Sequence, residues 1–176
     1  MNTSHKPVDR PNWVDFYLGL SFFIAERSQD ADTKHGCVIT NRQHRVLSVG
    51  YNGLPRNASD RCFTNTGRNK YKNMFHAEQN ALANCEHRPV NGIAYVSGVC
   101  CDNCLYSLWQ HGITTLYMAD CHGTKLSNDE DWRKNFILNT GMEVYLIKPN
   151  LNWLTTPVDK INQLGFFTTL RSDLGL

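Results

Sequence analysis

Two donor runs, His76-Ala-Glu78 and Cys101-Asp-Asn-Cys104, place the tightest constraint on the fold. Imidazole nitrogen and thiolate sulfur are good zinc donors, so one ion held by all three requires two separate segments to converge within bonding distance. Cysteines at i and i+3 across a helix start share one face, and both sulfurs then reach a single ion without backbone distortion. His76 heads a run of good helix formers, His76-Ala-Glu-Gln-Asn-Ala-Leu-Ala83, with one strand-like run, Ile93-Ala-Tyr-Val96, between it and the cysteines. The chain must therefore bring the starts of two neighbouring helices together.

The flanking sequence supplies a frame for that encounter. Trp13, Phe16, Tyr17, Leu20, Phe23 and Ile24 form the apolar stripe of a first helix over 12–28, expected to pack into the core. Cys37–Thr40 and Val46–Val49, around the polar Asn41–Arg45, read as an antiparallel hairpin that Gly50-Tyr-Asn-Gly53 and Pro55 bring to an end. A polar surface loop or insertion is expected over 57–73. Leu105, Leu108 and Trp109 suit a third helix ended near Gly112. Thr115–Met118 reads as a strand, Asp129–Asn139 as a fourth helix stopped by Gly141, and Glu143–Ile147 as a fifth strand. That order predicts a single α/β domain over 1–176, a three-layer α-β-α sandwich on a five-stranded mixed sheet. Its first two strands are antiparallel and its later ones parallel, with a tail after about residue 149 left unplaced.

Composition removes several classes. With 18 Lys and Arg against 16 Asp and Glu, a net charge of +2 and no basic block, the chain lacks the footprint of a protein that tracks a nucleic-acid backbone. No apolar run is long enough for a membrane helix, and Met1–Pro7 has no secretory pattern, so the expected compartment is the cytoplasm. Seven cysteines, an odd number, argue for reduced thiols or metal ligands over a disulfide framework.

Three protein ligands leave a fourth tetrahedral position for water, whose pKa zinc lowers from about 16 toward about 7. Glu78, two residues beyond His76, is placed to face that position without being a ligand and to carry a proton from the water to a substrate nitrogen. His-x-Glu followed by Cys-x-x-Cys resembles the signature of the zinc nucleobase deaminases. Arg27-Ser-Gln-Asp30, Gly50-Tyr-Asn-Gly-Leu-Pro55, Ser59-Asp60 and His76-Ala-Glu-Gln-Asn-Ala81 resemble the deoxycytidylate deaminase branch, over roughly residues 13 to 147.

The resemblance implies a cytidine deaminase-like fold and zinc-dependent hydrolysis of dCMP to dUMP and ammonia, supplying dUMP for thymidylate synthesis. It implies zinc on His76, Cys101 and Cys104, proton transfer by Glu78, and substrate contacts from Asn52, Arg27, Ser28 and Ala77, with Asn52 on the sugar and Arg27 and Ser28 toward phosphate. It further implies a homohexamer regulated by dCTP and dTTP, with Mg2+ accompanying the triphosphate and Gly50, Tyr51, Asn52 and Gly53 in the nucleotide response.

One departure bears on the metal. Relatives usually carry proline before the first motif cysteine, whereas this chain has Cys100, which offers an alternative spacing, Cys100-x-x-x-Cys104. Other readings stay open: a deaminase of a modified dCMP, a nucleoside or an RNA base; a noncatalytic nucleotide sensor; or a structural zinc site closed by Cys121 or His122. The lone histidines His35, His44, His87 and His111 read as surface or packing residues, and Cys37, Cys62 and Cys85 as small buried thiols.

Overall fold

The structure, a computed structural model, describes residues 10–58, 67, 70, 72–120 and 130–154; Ser59, Asp60, Cys62, Cys121 and His122 lie outside these described residues. Its elements are α1 (Trp13–Ala25), β1 (Gly36–Thr40), β2 (Val46–Tyr51), α2 (Ala77–Ala83), β3 (Gly92–Val96), α3 (Asp102–Gln110), β4 (Ile113–Ala119), α4 (Glu130–Thr140) and β5 (Glu143–Ile147). The strands lie in the order β2-β1-β3-β4-β5. β1 pairs antiparallel with both β2 and β3, while β3, β4 and β5 run parallel, as the helical crossovers between them require. The hairpin turn is made by Asn41, whose side-chain oxygen accepts from the amides of Gln43 and Arg45 at 3.0 and 2.9 Å, with His44 at φ 61°.

Alternation along the strands divides the core into two layers. Val38, Ile93, Tyr95 and Ala119 face α1 through Tyr17 and Leu18. Cys37, Ile39, Ala94, Val96, Leu116 and Met118 face the opposite way, onto Ala77 and Ala81 of α2 and Leu105 and Leu108 of α3. The expected sandwich and mixed sheet are both present.

The first helix is present, but its expected buried stripe is turned. Tyr17, Leu18, Gly19, Ser21 and Ala25 are buried, whereas Trp13 and Phe23 are half exposed. The cause is the closeness of β1: a Cβ at Gly36 would lie 1.9 Å from the Ser21 carbonyl and 2.7 Å from the Ala25 amide. Only small side chains fit at that approach, so the large aromatics flank it. Trp13 stacks on His44 at 4.4 Å, and Phe16 stacks on Trp153 at 5.5 Å.

Strand register gathers the site at one end of the sheet. Gly36 opens β1 opposite Tyr51, the last residue of β2, and Cys37 lies opposite Val96, the last of β3. The segments before Gly36, after Tyr51 and after Val96 therefore emerge side by side. They carry His35, Asn52 and the stretch Ser97–Cys101.

Candidate active site

His76 and Cys101 occupy the same local position, the N-cap of α2 and of α3, each with extended backbone that turns the side chain away from its helix. The His76 amide donates to the Gln79 side-chain oxygen at 3.1 Å, which fixes the start of α2. His76 Nδ1 lies 3.4 Å from Cys101 Sγ and 3.3 Å from Cys104 Sγ. A tetrahedral zinc with bonds of about 2.0 to 2.3 Å would place such donors about 3.6 Å apart, so this set fits the ion with little adjustment. Among the described residues these three are the group whose donor atoms converge in this way. Cys100 does not share in it: its thiol is buried in the core, its amide lies 3.4 Å from Met118 Sδ, and burial pushes its pKa up.

The electrostatics suit a metal. The hydrogen bond from Cys104, aided by His76 and the Cys104 amide, pulls the Cys101 thiol down to about 4, whereas that same bond and burial push Cys104 up. The pair thus holds one proton between them, which a zinc ion would displace. Bonding to Cys101 raises His76, against burial that lowers it.

Glu78 is 4% exposed, and burial raises its pKa, opposed by its backbone hydrogen bond and by His76. It lines a cavity of about 140 Å³ together with His76, Cys101, Asn52, Asp30 and His35. A carboxyl of raised pKa beside a metal-donor set is equipped to take, hold and release a proton.

The sequence-derived substrate residues fall into distinct places. Asn52 is buried on the cavity wall. Its Oδ1 accepts from the His35 amide at 2.7 Å, and its Nδ2 donates to Asp30 Oδ2 at 3.2 Å and to the Thr33 carbonyl at 2.9 Å. Ala77 also lines the cavity, at the first position of α2. Ser28 is buried with its hydroxyl donating to the Asn52 carbonyl at 2.7 Å, so it braces this turn. Arg27 is exposed and is not part of the cavity wall. Gly50 and Tyr51 serve the packing of β2 on α2: a Cβ at Gly50 would meet the Ala81 amide at 2.2 Å, and the Tyr51 carbonyl accepts from Asn80 at 2.8 Å. Gly53 pairs with Phe75 through two backbone hydrogen bonds.

Three contributors were not singled out by their spacing. Lys70, 1% exposed, sits 2.7 Å from Asp30 Oδ1 and 3.2 Å from Asp32 Oδ2, beside the site; most of the polar stretch 57–73 that carries it lies outside the described residues. Arg133 of α4, 3% exposed, donates to Asp102 and, at 3.1 Å, to the Cys100 carbonyl, gripping the segment that carries Cys101. His35, expected as a surface or packing residue, stands instead on the cavity wall, where burial and then His76 lower its pKa. A single lysine in an aperiodic loop and an arginine in an amphipathic run give no signal of such contacts.

The family model described as the cytidine and deoxycytidylate deaminase zinc-binding region matches residues 11–120. The chain is similar to a probable deoxycytidylate deaminase of Drosophila melanogaster, 33% identical over 135 residues, covering 69% of this chain and 66% of that protein. It is also similar to the deoxycytidylate deaminase of Homo sapiens, 28% identical over 166 residues, covering 89% of this chain and 92% of that one. In fold it is similar to the dCMP deaminase of cyanophage S-TIM5, solved in complex with dCMP and dUMP, with TM-score 0.60 and 17% identity over 80% of this chain and 100% of that one.

Proposed function

The chain belongs to the cytidine and deoxycytidylate deaminase family, and on that premise we propose that it hydrolyses dCMP to dUMP and ammonia. The observation that carries the reading is the convergence of His76 Nδ1 with both thiols beside the buried Glu78. His76, Cys101 and Cys104 would hold zinc, which would supply Lewis-acid activation of water at neutral pH. Glu78, in a pocket where burial favours the protonated acid, would take a proton from the attacking water and pass it to the cytosine ring nitrogen as the oxygen adds to C4, then move the proton of the new C4 hydroxyl to the amino group, which leaves as ammonia.

Substrate contacts on the cavity wall are assigned from what each residue has left to offer, and those outside it from charge and position. The Ala77 amide, at the first position of α2, has no acceptor within its helix or elsewhere among the described residues and is assigned to a base oxygen. Asn52 has committed both amide hydrogens, and its Oδ1 already accepts from the His35 amide, so the second lone pair of Oδ1 is what it has left for a sugar hydroxyl. Arg27 is the cation assigned to phosphate, and Ser28 acts by bracing Asn52. The finer expectations belong to this proposal: a cytoplasmic homohexamer, with dCTP and dTTP accompanied by Mg2+ acting at Gly50–Gly53. The resemblance of that run supports them. Among the described residues no helix is long and apolar enough to cross a membrane.

Purified zinc-loaded protein incubated with dCMP, CMP, deoxycytidine and RNA should release ammonia from dCMP, and product from RNA alone would reject the substrate. Glu78→Gln should lower kcat by about a hundredfold or more with zinc content unchanged. Turnover equal to wild type would reject the proton-transfer role. Velocity curves for dCMP unaltered by dCTP or dTTP, with Mg2+ present, would remove the effector site.

A further inference from the structure

We infer that His35 contacts the substrate, its imidazole giving the bound pyrimidine nucleotide a hydrogen bond from the cavity wall. The inference rests on the deaminase reading of the site and adds to it a residue from a different element.

Strand parity puts the ring on the right face. Cys37 faces α2 and α3, and Gly36 faces α1, so His35 stands on the Cys37 side, where the zinc donors lie. Its backbone is held at both ends of the peptide: the His35 amide donates to Asn52 Oδ1 at 2.7 Å, and its carbonyl accepts from the Asn52 amide at 3.0 Å. Gly98 provides the seat for the ring, because a Cβ there would lie 2.5 Å from His35 Cε1 and 2.8 Å from Nδ1. The ring is thus presented by a braced strand end, over a residue with no side chain.

A count of donors shows what the ring adds. Asp30 and Glu78 bring carboxyl groups, His76, Cys101 and Cys104 are assigned to the metal, and both amide hydrogens of Asn52 go to Asp30 and Thr33, so the wall's other donors are the Ala77 amide and the Thr33 hydroxyl. A pyrimidine monophosphate is rich in acceptors, in its phosphate, its sugar oxygens and its base carbonyl. Among the described residues the His35 ring nitrogens have no hydrogen-bond partner in the protein, although the residue is half buried. In either protonation state imidazole keeps at least one N–H. Nor does the ring close the fourth zinc position, since its nitrogens lie outside the converging donor group.

The test uses zinc-loaded wild type, His35→Ala, His35→Gln and Gly98→Ala, with kcat and KM for dCMP, zinc content, and the Kd of the product dUMP by calorimetry. His35→Ala should raise KM and the dUMP Kd about tenfold, the scale of one lost hydrogen bond, and leave kcat within about threefold and zinc content unchanged. His35→Gln should recover part of the affinity. Gly98→Ala, which displaces the ring without removing it, should also weaken dUMP and is informative if His35→Ala does not fold. Wild-type dUMP affinity in either His35→Ala or Gly98→Ala overturns the inference, as does loss of zinc from His35→Ala, which would make His35 a ligand. If wild type neither turns over dCMP nor binds dUMP, the deaminase reading falls and the inference with it; if wild type does both and the variants bind dUMP equally well, the inference alone falls.

Discussion

Replacing Lys70 with Met tests whether a buried charge pair at Asp30 latches Lys70 to the site. Lys70 Nζ stands 2.7 Å from Asp30 Oδ1, and the two side chains are 1% and 3% exposed. Removing one partner of a buried pair costs about 3–5 kcal/mol, because the remaining charge is left without compensation. Here Asp30 keeps three other donors, Asn52 Nδ2 at 3.2 Å and the amides of Asp32 and Thr33 at 2.9 Å each. Those donors put the loss near the lower bound, about 3 kcal/mol. In a domain of this size each kcal/mol corresponds to roughly 2–4 °C, so Tm should fall by roughly 6–12 °C. Met retains most of the lysine stem, so lost packing contributes little. Thermal unfolding of zinc-loaded protein, followed by circular dichroism, gives the measurement. Lys34→Met is the control: its pair with Glu26 is equally short at 2.7 Å but exposed on both sides, and its loss should move Tm by no more than about 2 °C. The drop in Lys70→Met should persist at high salt, which screens a buried pair weakly. A shift no larger than that of the control would refute the latch.

The metal register is tested by Cys100→Ala and Cys104→Ala: the first should keep one zinc per chain by elemental analysis, and the second should lose it. Zinc loss in Cys100→Ala would show that the alternative spacing is used. In metal-free protein, Glu78→Gln should be more stable than wild type at neutral pH. The folded pKa of Glu78 is raised, so the native state binds more protons than the unfolded chain between the two pKa values, and wild type loses stability as pH climbs through that window. The Tm difference should shrink as pH falls toward the ordinary carboxylate range, and a difference that does not change with pH would contradict the assignment to Glu78. Chelation should abolish ammonia release and leave the far-ultraviolet dichroism of the sheet and helices unchanged, whereas collapse of that signal would make the ion a folding requirement.

The order of elements was legible because helix and strand periods differ, and because Gly112 and Gly141, both at positive φ, end their helices where the sequence places stops. The convergence of His76, Cys101 and Cys104 was legible because two residue types, imidazole and thiol, recur at a spacing suited to one ion. The buried face of α1 was not. That helix is apolar around most of its circumference, so periodicity cannot choose a face; the choice is made by the close approach of Gly36, which lies outside the helix. His35 was illegible for a related reason. Nothing about one histidine before a strand reveals that register will set it beside Asn52 and over Gly98, and such contacts exist only once three chain segments emerge at the same end of the sheet.

Holding three metal donors and a carboxylate together runs against electrostatics, and the fold opposes that cost in two ways. Both donor runs begin helices, whose amino-terminal amides favour thiolate and carboxylate alike. Around them the chain is fixed by contacts that do not involve the ion: Arg133 on the Cys100 carbonyl and on Asp102, Gln79 on the His76 amide, and Leu105 and Leu108 fully buried beneath α3. In a zinc finger the ion organises the chain, because no adequate core exists without it. Here a two-layered core sets the donors within a few tenths of an ångström, roughly, of the separation a tetrahedral ion requires, so binding energy need not be spent on folding. What binding must do is displace the proton that Cys101 and Cys104 share, and affinity for zinc should therefore weaken as the medium is acidified. Glu78 is coupled to that exchange through its contact with Cys104, but its raised pKa comes first from burial, which suits it to carry a proton beside the donor set.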